Sequence, residues 1–157
     1  MRHGPAEVRS SGKNDLERPL TEAGHSQTRA ASRGLKRLGI APRLVLTSPA
    51  RRALETAQIA VSELDIFEAL TTAEELLPGA EPEKILKLIA DQRNDLLLVG
   101  HEPDFGKLAA LLVGGGMPAL EMSKAGVAAL SFVSTPAPGA AKLLWLLRRK
   151  QLRRIGA

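Results

Sequence analysis

The chain has 157 residues, of which 44% are hydrophobic and only 3% aromatic, which suits a globular protein whose core is built from aliphatic side chains. It contains no cysteine, so disulfides, thiolate chemistry and cysteine-ligated zinc are excluded, and it has no apolar run of the roughly 18 residues that a membrane-spanning helix needs. The net charge of +5 does not by itself indicate nucleic-acid binding, because the basic excess lies in one short C-terminal segment without aromatic residues for base stacking.

The first part of the chain predicts a loop followed by a helix. Residues 5–18 are polar and contain turn-forming glycine, asparagine and aspartate. Thr21 is a good N-cap, because its hydroxyl can accept a hydrogen bond from a free amide of the first helical turn. We therefore expect a helix from about residue 22 to residue 38, ended by Gly39.

A short strand and a second helix are expected next. The branched apolar residues 43–47 predict the strand. Ser48 and Pro49 then predict a helix start in which Ser48 is the cap and Pro49 lies in the first turn, where its missing N–H costs nothing. The apolar spacing of this helix gives it a broad inner face. Residues 65–80 are of mixed character.

The second half of the chain alternates in the same way. The remaining elements are predicted as a helix at about 82–90, a strand at 96–99, a helix at about 104–113, a glycine-rich turn GGGMP (114–118), and strands at about 126–133 and 142–147. The continuous apolar run of the first of these strands is typical of a strand buried on both faces of a parallel sheet. The last two strands are close enough in sequence to form a hairpin.

This order of elements predicts an α/β fold, a three-layer sandwich in which helices flank a mainly parallel central sheet. Residues 1–157 are expected to form one domain. Five basic residues and no acid lie within residues 148–157, which we interpret as a basic, solvated tail.

Reactive side chains occur just after two of the predicted strands. Ser48 and Arg52 follow the first strand, and His101 follows the later buried one. Arg2-His3-Gly4 would make a third such segment if a strand preceded it, and Arg18 stands just before the first helix. Ligands of such sheets bind beyond the carboxyl ends of the strands. We therefore expect these residues to share one pocket.

Two histidines among several arginines suit phosphoryl transfer. Arginine offers a planar, permanently charged set of donors that matches phosphate oxygens. A neutral histidine can attack phosphorus and form a covalent intermediate, while a second, protonated histidine can stabilise charge on the transferring phosphoryl group. When arginine and histidine supply the positive charge, no metal is required. We therefore predict neither a metal nor a cofactor.

Four motifs carry a resemblance to a known family. They are RHG (2–4), RPLTEAG (18–24), SPARRALET (48–56) and VGHEP (99–103). In this order they resemble the motifs of the histidine phosphatase superfamily. The small size of the chain and the pairing of RPLT with GHEP most resemble the bacterial SixA-type phosphohistidine phosphatases. The resemblance implies the phosphoglycerate mutase-like form of the α/β sandwich.

The resemblance also implies roles for matching residues. His3 would be the nucleophile that becomes phosphorylated, and His101 the second histidine of the pocket. Arg2 would bind phosphoryl oxygens. Arg52, rather than its neighbour Arg51, matches the arginine of the family pattern.

Ser48 and Arg18 complete the implied substrate-binding set, Arg18 by pointing toward the phosphate. Many superfamily members also use an acidic residue as proton donor to the leaving group, and the SixA-type enzymes resemble one another in lacking a clear one. Glu74 and Glu75 are the nearest candidates here, and Glu75 is our choice. The acid is dispensable for phosphohistidine, because imidazole leaves far more readily than an alkoxide, which must be protonated.

These observations favour a metal-independent phosphatase that removes a phosphoryl group from phosphohistidine in a protein, such as a histidine phosphotransfer domain. Two alternatives stay open: a phosphatase of small phosphoesters with the same pocket, and a phosphate-binding module without turnover. We expect a cytoplasmic protein with no nucleic acid and no membrane among its partners.

The position of His3 raises a separate expectation. In the family, RHG resembles the end of a buried first strand, which is absent here, and Met1 occupies the place of the residue before the motif. The hypothesis is that Met1 is an internal methionine and that the natural chain begins upstream. Without that strand, neighbouring backbone groups lose partners and His3 is expected to lie on a fraying terminus.

Overall fold

The structure is a computed structural model that describes residues 1–12, 14–66, 69–92, 95–114 and 120–157. Within these residues the helices are α1 (Glu22–Arg37), α2 (Arg51–Leu64), α3 (Pro82–Ala90), α4 (Asp104–Val113) and α5 (Arg149–Ile155). The strands are β1 (Leu44–Thr47), β2 (Ala69–Thr72), β3 (Leu96–Val99), β4 (Val127–Phe132) and β5 (Ala141–Leu147). Short 3₁₀ turns cover Asp15–Glu17 and Glu74–Leu76.

The helices begin and end largely where local signals predict. The Thr21 hydroxyl accepts a hydrogen bond from the Gly24 amide at 2.9 Å, so the predicted cap of α1 is confirmed. The predicted spans of α3 and α4 are confirmed as well. Gly114 ends α4 with a φ of +77°, a conformation that favours glycine. The rest of the predicted GGGMP turn lies outside the described residues.

Ser48 is not the cap of α2, and that prediction is wrong. The helix begins at Arg51 with Ala50 as its N-cap residue, and Pro49 lies before the cap rather than in the first turn. The Ser48 hydroxyl accepts a hydrogen bond from the Ala50 amide at 3.2 Å. The chain therefore makes a short turn between β1 and α2, which leaves Ser48 at the end of the strand.

The central sheet is parallel, with strand order β2-β1-β3. Strands β4 and β5 form the predicted antiparallel hairpin as a second sheet, with an irregularity at Ala129/Leu130. The α/β class is therefore confirmed. Strand β2 was not predicted, because its sequence ALTT is short and half polar, and its pairing with β1 joins residues about 25 positions apart.

Residues 1–3 lie between the two sheets. Arg2 forms an isolated parallel bridge with Gly100, just beyond β3. The His3 amide donates to the Gly100 carbonyl at 2.9 Å, while the Arg2 amide donates to the Gly126 carbonyl at 3.0 Å, just before β4. The first residues of the chain thus hydrogen-bond to both sheets at once.

Buried side chains cover both faces of the parallel sheet, as the apolar run of β3 predicts. On one face Val45, Leu97 and Val99 pack in a cluster with residues of α1, α2 and α5. On the other face Leu46 packs in a cluster with residues of α3 and α4, including Ile85. No helix among the described residues has the length and apolarity to cross a bilayer.

The C-terminal segment, interpreted from the sequence as a solvated tail, forms a helix that docks through Leu152 and keeps most of its side chains in solvent. Leu152 of α5 is fully buried in the same cluster as Leu35 of α1. The backbones approach closely, since a Cβ placed on Gly34 would lie 2.1 Å from the Leu152 carbonyl oxygen. Four basic side chains of the segment remain exposed to solvent: Arg148, Lys150, Arg153 and Arg154.

Candidate active site

The ends of β1 and β3 and the RHG segment meet at one place, as predicted. The Ser48 amide donates to the Val99 carbonyl at 2.9 Å, and the His3 amide donates to the Gly100 carbonyl at 2.9 Å. The rings of His3 and His101 lie with their centroids 5.2 Å apart. The carboxyl edge of the parallel sheet therefore carries both histidines.

His3 is held in a defined orientation and protonation form. Its side chain is 6% exposed, and its Nδ1 lies 2.7 Å from the Gly4 carbonyl oxygen. Because a carbonyl can only accept, Nδ1 carries the proton and Nε2 carries the lone pair. Burial lowers the pKa of His3 to about 4, with the charges of Arg52, Arg2 and Arg18 acting in the same direction against the Gly4 hydrogen bond. At neutral pH the ring is thus uncharged.

The segment around His3 has several backbone anchors. The Gly4 amide donates to Thr56 Oγ1 at 3.0 Å, and that hydroxyl donates to the Arg52 carbonyl of α2 at 2.7 Å. A Cβ on Gly4 would lie 2.2 Å from Thr28 Oγ1, so only glycine fits between α1 and α2 here. The expected fraying of His3 is therefore not what the described contacts show.

Arg52 is buried and Arg51 is not, as the family pattern implies. The Arg52 side chain is 3% exposed and lies against Asp15, with Nη1 donating to the Asp15 carbonyl oxygen at 2.8 Å and Nη2 lying 3.1 Å from Oδ2. Arg18 donates from Nε to Asp15 Oδ1 at 3.1 Å and from Nη1 to the Glu7 carbonyl at 2.8 Å. Arg51 instead pairs with Glu55 on the exposed side of α2.

His101 is neutral in this pocket, which corrects the expectation of a protonated second histidine. Burial lowers the pKa of His101 to about 3, with Arg52 and His3 acting in the same direction. Its Nε2 lies 2.9 Å from Ser48 Oγ. The Ser48 hydroxyl is fully buried, and it contacts the His101 ring.

Arg2 is held by a backbone carbonyl of the loop before β4. Its Nη1 donates to the Met122 carbonyl oxygen at 2.8 Å. The carboxylate of Glu102 accepts a hydrogen bond from the Met122 amide at 3.2 Å, and burial raises the pKa of that carboxyl. Glu102 therefore orders the backbone that holds Arg2.

Three buried nitrogens of the pocket have no hydrogen-bond partner among the described residues. They are Arg2 Nε, Arg52 Nε and His101 Nδ1. Buried donors are almost always paired in folded proteins, so an unpaired group needs an explanation. Guanidinium donors beside two neutral histidines make an electropositive site that suits a tetrahedral oxyanion.

Glu75 lies on a different element from these residues. It is exposed, on the short turn Glu74–Leu76, and it lines a surface hollow of about 210 Å³ together with residues such as Pro78 and Lys84. None of the pocket histidines or arginines lines that hollow. The described contacts thus bring together His3, His101, Arg2, Arg18, Arg52 and Ser48, and none of the described hydrogen bonds or ion pairs joins Glu75 to them.

Asp15 is the residue of the pocket that sequence reasoning missed. It lies in a segment that was expected to be a polar loop. Its partners, Arg18 and Arg52, are 3 and 37 positions away. In the sequence, Asp15 could be noticed only as an acidic residue close to Arg18. Such pairs are too common to indicate a functional site.

Comparison with known sequences gives a family match and one curated relative. Residues 1–77 match the histidine phosphatase superfamily, branch 1. An uncharacterized protein of Picosynechococcus sp. is 36% identical over 136 residues, which cover 83% of this chain and 81% of the relative.

Solved structures of similar fold include two SixA proteins. The SixA protein from Agrobacterium tumefaciens has 25% sequence identity and a TM-score of 0.77, with 94% of each chain covered. A protein histidine phosphatase SixA complexed with tungstate has 24% identity and a TM-score of 0.82, with 97% of this chain and 96% of the other covered. The alpha-ribazole phosphatase from Shigella flexneri has 20% identity and a TM-score of 0.72, with 95% of each chain covered.

Proposed function

Because the chain belongs to the histidine phosphatase superfamily and is a phosphatase of that superfamily, we propose that it removes the phosphoryl group from phosphohistidine in a protein. The observation that carries the proposal is the set of three unpaired nitrogens, on Arg2, Arg52 and His101, beside the lone pair of His3. A phosphoryl group has three non-bridging oxygens, for which the two guanidinium nitrogens are suitable donors, as is His101 Nδ1 when it carries the ring proton.

In the first step His3 acts as nucleophile. Its Nε2 lone pair forms a bond to phosphorus while the bond from phosphorus to the substrate nitrogen breaks, and that electron pair goes to the departing imidazole. The second nitrogen of the substrate ring binds a proton near neutral pH, so the ring leaves as neutral imidazole. The His3 Nδ1 proton stays on its hydrogen bond to Gly4 throughout.

In the second step water completes the reaction. The water oxygen attacks phosphorus, the bond from phosphorus to His3 Nε2 breaks, and its electron pair returns to His3. One water proton passes to solvent or to the released phosphate. Arg2 and Arg52 stabilise the charge on the phosphoryl oxygens in both steps, and neutral His101 contributes as donor when Nδ1 carries its proton. Ser48 then acts through His101, its hydroxyl donating to Nε2.

The side chains near His3 support the choice of a phosphohistidine substrate. No acidic side chain forms a hydrogen bond or ion pair with His3 among the described residues, and the expected proton donor, Glu75, is exposed on the short turn after β2. An imidazole leaving group does not need one. The likeness to SixA proteins supports the same choice. We extend the proposal to a histidine phosphotransfer domain as partner and to the cytoplasm as location.

The likeness to an alpha-ribazole phosphatase favours a second candidate, a phosphatase of small phosphoesters. Rates on a phosphohistidine-containing protein and on sugar phosphates separate the two. The proposal expects faster turnover of the phosphoprotein, and faster turnover of the sugar phosphates would favour the second candidate. In either case rapid quenching with labelled substrate is expected to trap phosphate on His3.

A matched set of variants tests the assignment of the pocket residues. His3→Ala is expected to abolish labelling and turnover, whereas His25→Ala, at a half-exposed position on α1, is expected to leave both unchanged. Arg52→Ala is expected to lower kcat by about 10²–10³, the usual effect of removing one donor to a developing charge, while Arg51→Ala stays near wild type. Turnover without labelling at His3, or no turnover at all on any phosphorylated substrate, would refute the proposed function.

A further inference from the structure

We propose that Asp15 is a positioning residue of the phosphoryl pocket, which holds the guanidinium groups of Arg52 and Arg18 in the orientation that a transferring phosphoryl group requires. The inference rests on the proposed function and adds a residue that acts through the arginines rather than on the substrate. Three observations carry it: the pairing geometry, the rigidity of the turn that bears Asp15, and the balance of charge in the pocket.

The pairing geometry uses nearly every acceptor that Asp15 has. One carboxylate oxygen accepts from Arg18 Nε and the other lies 3.1 Å from Arg52 Nη2. The backbone carbonyl of Asp15 accepts from Arg52 Nη1 at 2.8 Å. Both terminal nitrogens of Arg52 are therefore fixed by one residue. Only Arg52 Nε is left without a partner among the described residues, and it is buried.

The segment around Asp15 is itself held in place. Asp15 begins a 3₁₀ turn whose preceding residue, Asn14, accepts a hydrogen bond from the Leu16 amide through its side chain at 3.0 Å. Arg18 closes the segment by donating to the Glu7 carbonyl as well as to Asp15. The carboxylate thus presents a fixed acceptor to Arg52, which is buried on a different element. Fixing a catalytic donor in advance lowers the reorganisation needed in the transition state.

Because of the charge balance of the pocket, loss of the Asp15 charge should affect kcat and the affinity for phosphate differently. The pocket contains three arginines, two neutral histidines and the Asp15 carboxylate, a net charge of +2. Burial raises the pKa of that carboxyl, but Arg52 and Arg18 outweigh this effect and hold the pKa below its usual value. Removing its charge strengthens the attraction for an anion in general while it frees Arg52 to move. Loss of a positioning residue is therefore expected to lower kcat without weakening phosphate binding.

The test compares Asp15→Asn with Glu17→Gln, a matched loss of one negative charge at an exposed position in the same turn. Turnover is measured on the phosphohistidine protein, and orthophosphate affinity is measured by calorimetry on the full chain. Asp15→Asn is expected to lower kcat by about 10- to 100-fold, with a Kd for orthophosphate that is unchanged or up to about tenfold lower. Glu17→Gln is expected to resemble wild type in both.

Either of two results would overturn the inference: a kcat for Asp15→Asn within about twofold of wild type, or a loss of orthophosphate affinity that parallels the loss of kcat, as a disordered pocket would give. If Asp15→Asn did not fold, Asp15→Glu would serve, because it keeps the charge but moves it by one methylene. It is expected to lower kcat while keeping orthophosphate affinity within about twofold of wild type. Unchanged kcat in that variant would count against the inference.

A measurement that does not need turnover tests the role of Asp15 independently of the proposed function. In the nuclear magnetic resonance spectrum of the wild type, the Arg52 Nε proton is expected to exchange slowly with solvent and to shift when orthophosphate is added. In Asp15→Asn the same signal is expected to broaden or to be lost, and an equally sharp signal would contradict the role of Asp15. Wild-type protein without phosphatase activity would refute the function and leave this measurement valid.

Discussion

Replacing Ser48 by alanine tests how the pocket sets the proton of His101. The Ser48 hydroxyl accepts from the Ala50 amide at 3.2 Å and lies 2.9 Å from His101 Nε2. If the hydroxyl donates its proton to Nε2, then His101 Nδ1 must carry the ring proton, and the unpaired Nδ1 becomes a donor to a phosphoryl oxygen. Ser48→Ala removes the group that selects this tautomer.

The expected magnitudes follow from those two contacts. Each hydrogen bond contributes about 0.5–1.5 kcal/mol net, so their joint loss at a fully buried position is expected to lower the free energy of unfolding by about 1–3 kcal/mol. The decrease in kcat is expected to be smaller than the decrease on removing His101 itself, because the ring stays and only its preferred tautomer is lost. We expect a decrease in kcat of about tenfold, below the roughly 10²–10³ that removal of an oxyanion donor costs.

The assay pairs Ser48→Ala with Ser32→Ala on α1. Ser32 is also fully buried, but its hydroxyl has no partner among the described residues, so its loss is expected to be neutral or stabilising. Urea melts measure stability, steady-state turnover measures kcat, and the ¹⁵N shifts of the His101 ring report the tautomer. The reasoning is refuted if Ser48→Ala turns over at the wild-type rate with an unchanged tautomer.

Two further predictions concern stability. In the folded protein the pKa values of His3 and His101 are lowered to about 4 and about 3. Below about pH 6.5 the unfolded chain therefore binds more protons than the folded protein. The free energy of unfolding should fall by about 1.4 kcal/mol per pH unit for each histidine, until the pH reaches its folded-state pKa. Urea melts at pH 7 and pH 5 check this, and a stability that rises on acidification would contradict it. Gly34→Ala places a Cβ 2.1 Å from the Leu152 carbonyl oxygen and should destabilise the protein by about 1–3 kcal/mol with kcat unchanged, whereas an unchanged melting temperature would show that α5 can move away at no cost.

The sequence predicted what local signals determine. The bounds of α3 and α4 follow from proline, glycine and apolar spacing within the elements themselves. The meeting of His3 and His101 follows from a general rule for parallel sheets together with motif order. These predictions need no knowledge of which distant residues touch.

The predictions that were missed or wrong depend on non-local contacts. Strand β2 exists because ALTT pairs with β1, which its own composition does not indicate. The neutral state of His101 results from burial that the sequence does not reveal. Asp15 enters the pocket only because the loop before Arg18 folds over α2 and meets Arg52. The burial of Leu152 depends on a glycine in α1 that lets two backbones approach.

Because residues 1–3 lie between the two sheets, the geometry of the pocket depends on how the two sheets are held together. The Arg2 amide is bonded to the end of the loop before β4, and the His3 amide to the residue after β3. A separation of the β4-β5 hairpin from the parallel sheet would break one of these bonds, and we expect it to disturb the placement of His3. Because local opening of this kind exposes amides to solvent, hydrogen exchange at Arg2 and His3 would report the fraction of molecules whose two sheets are apart. Substitutions deep in the hairpin would then change activity in proportion to that fraction, without touching any side chain of the pocket.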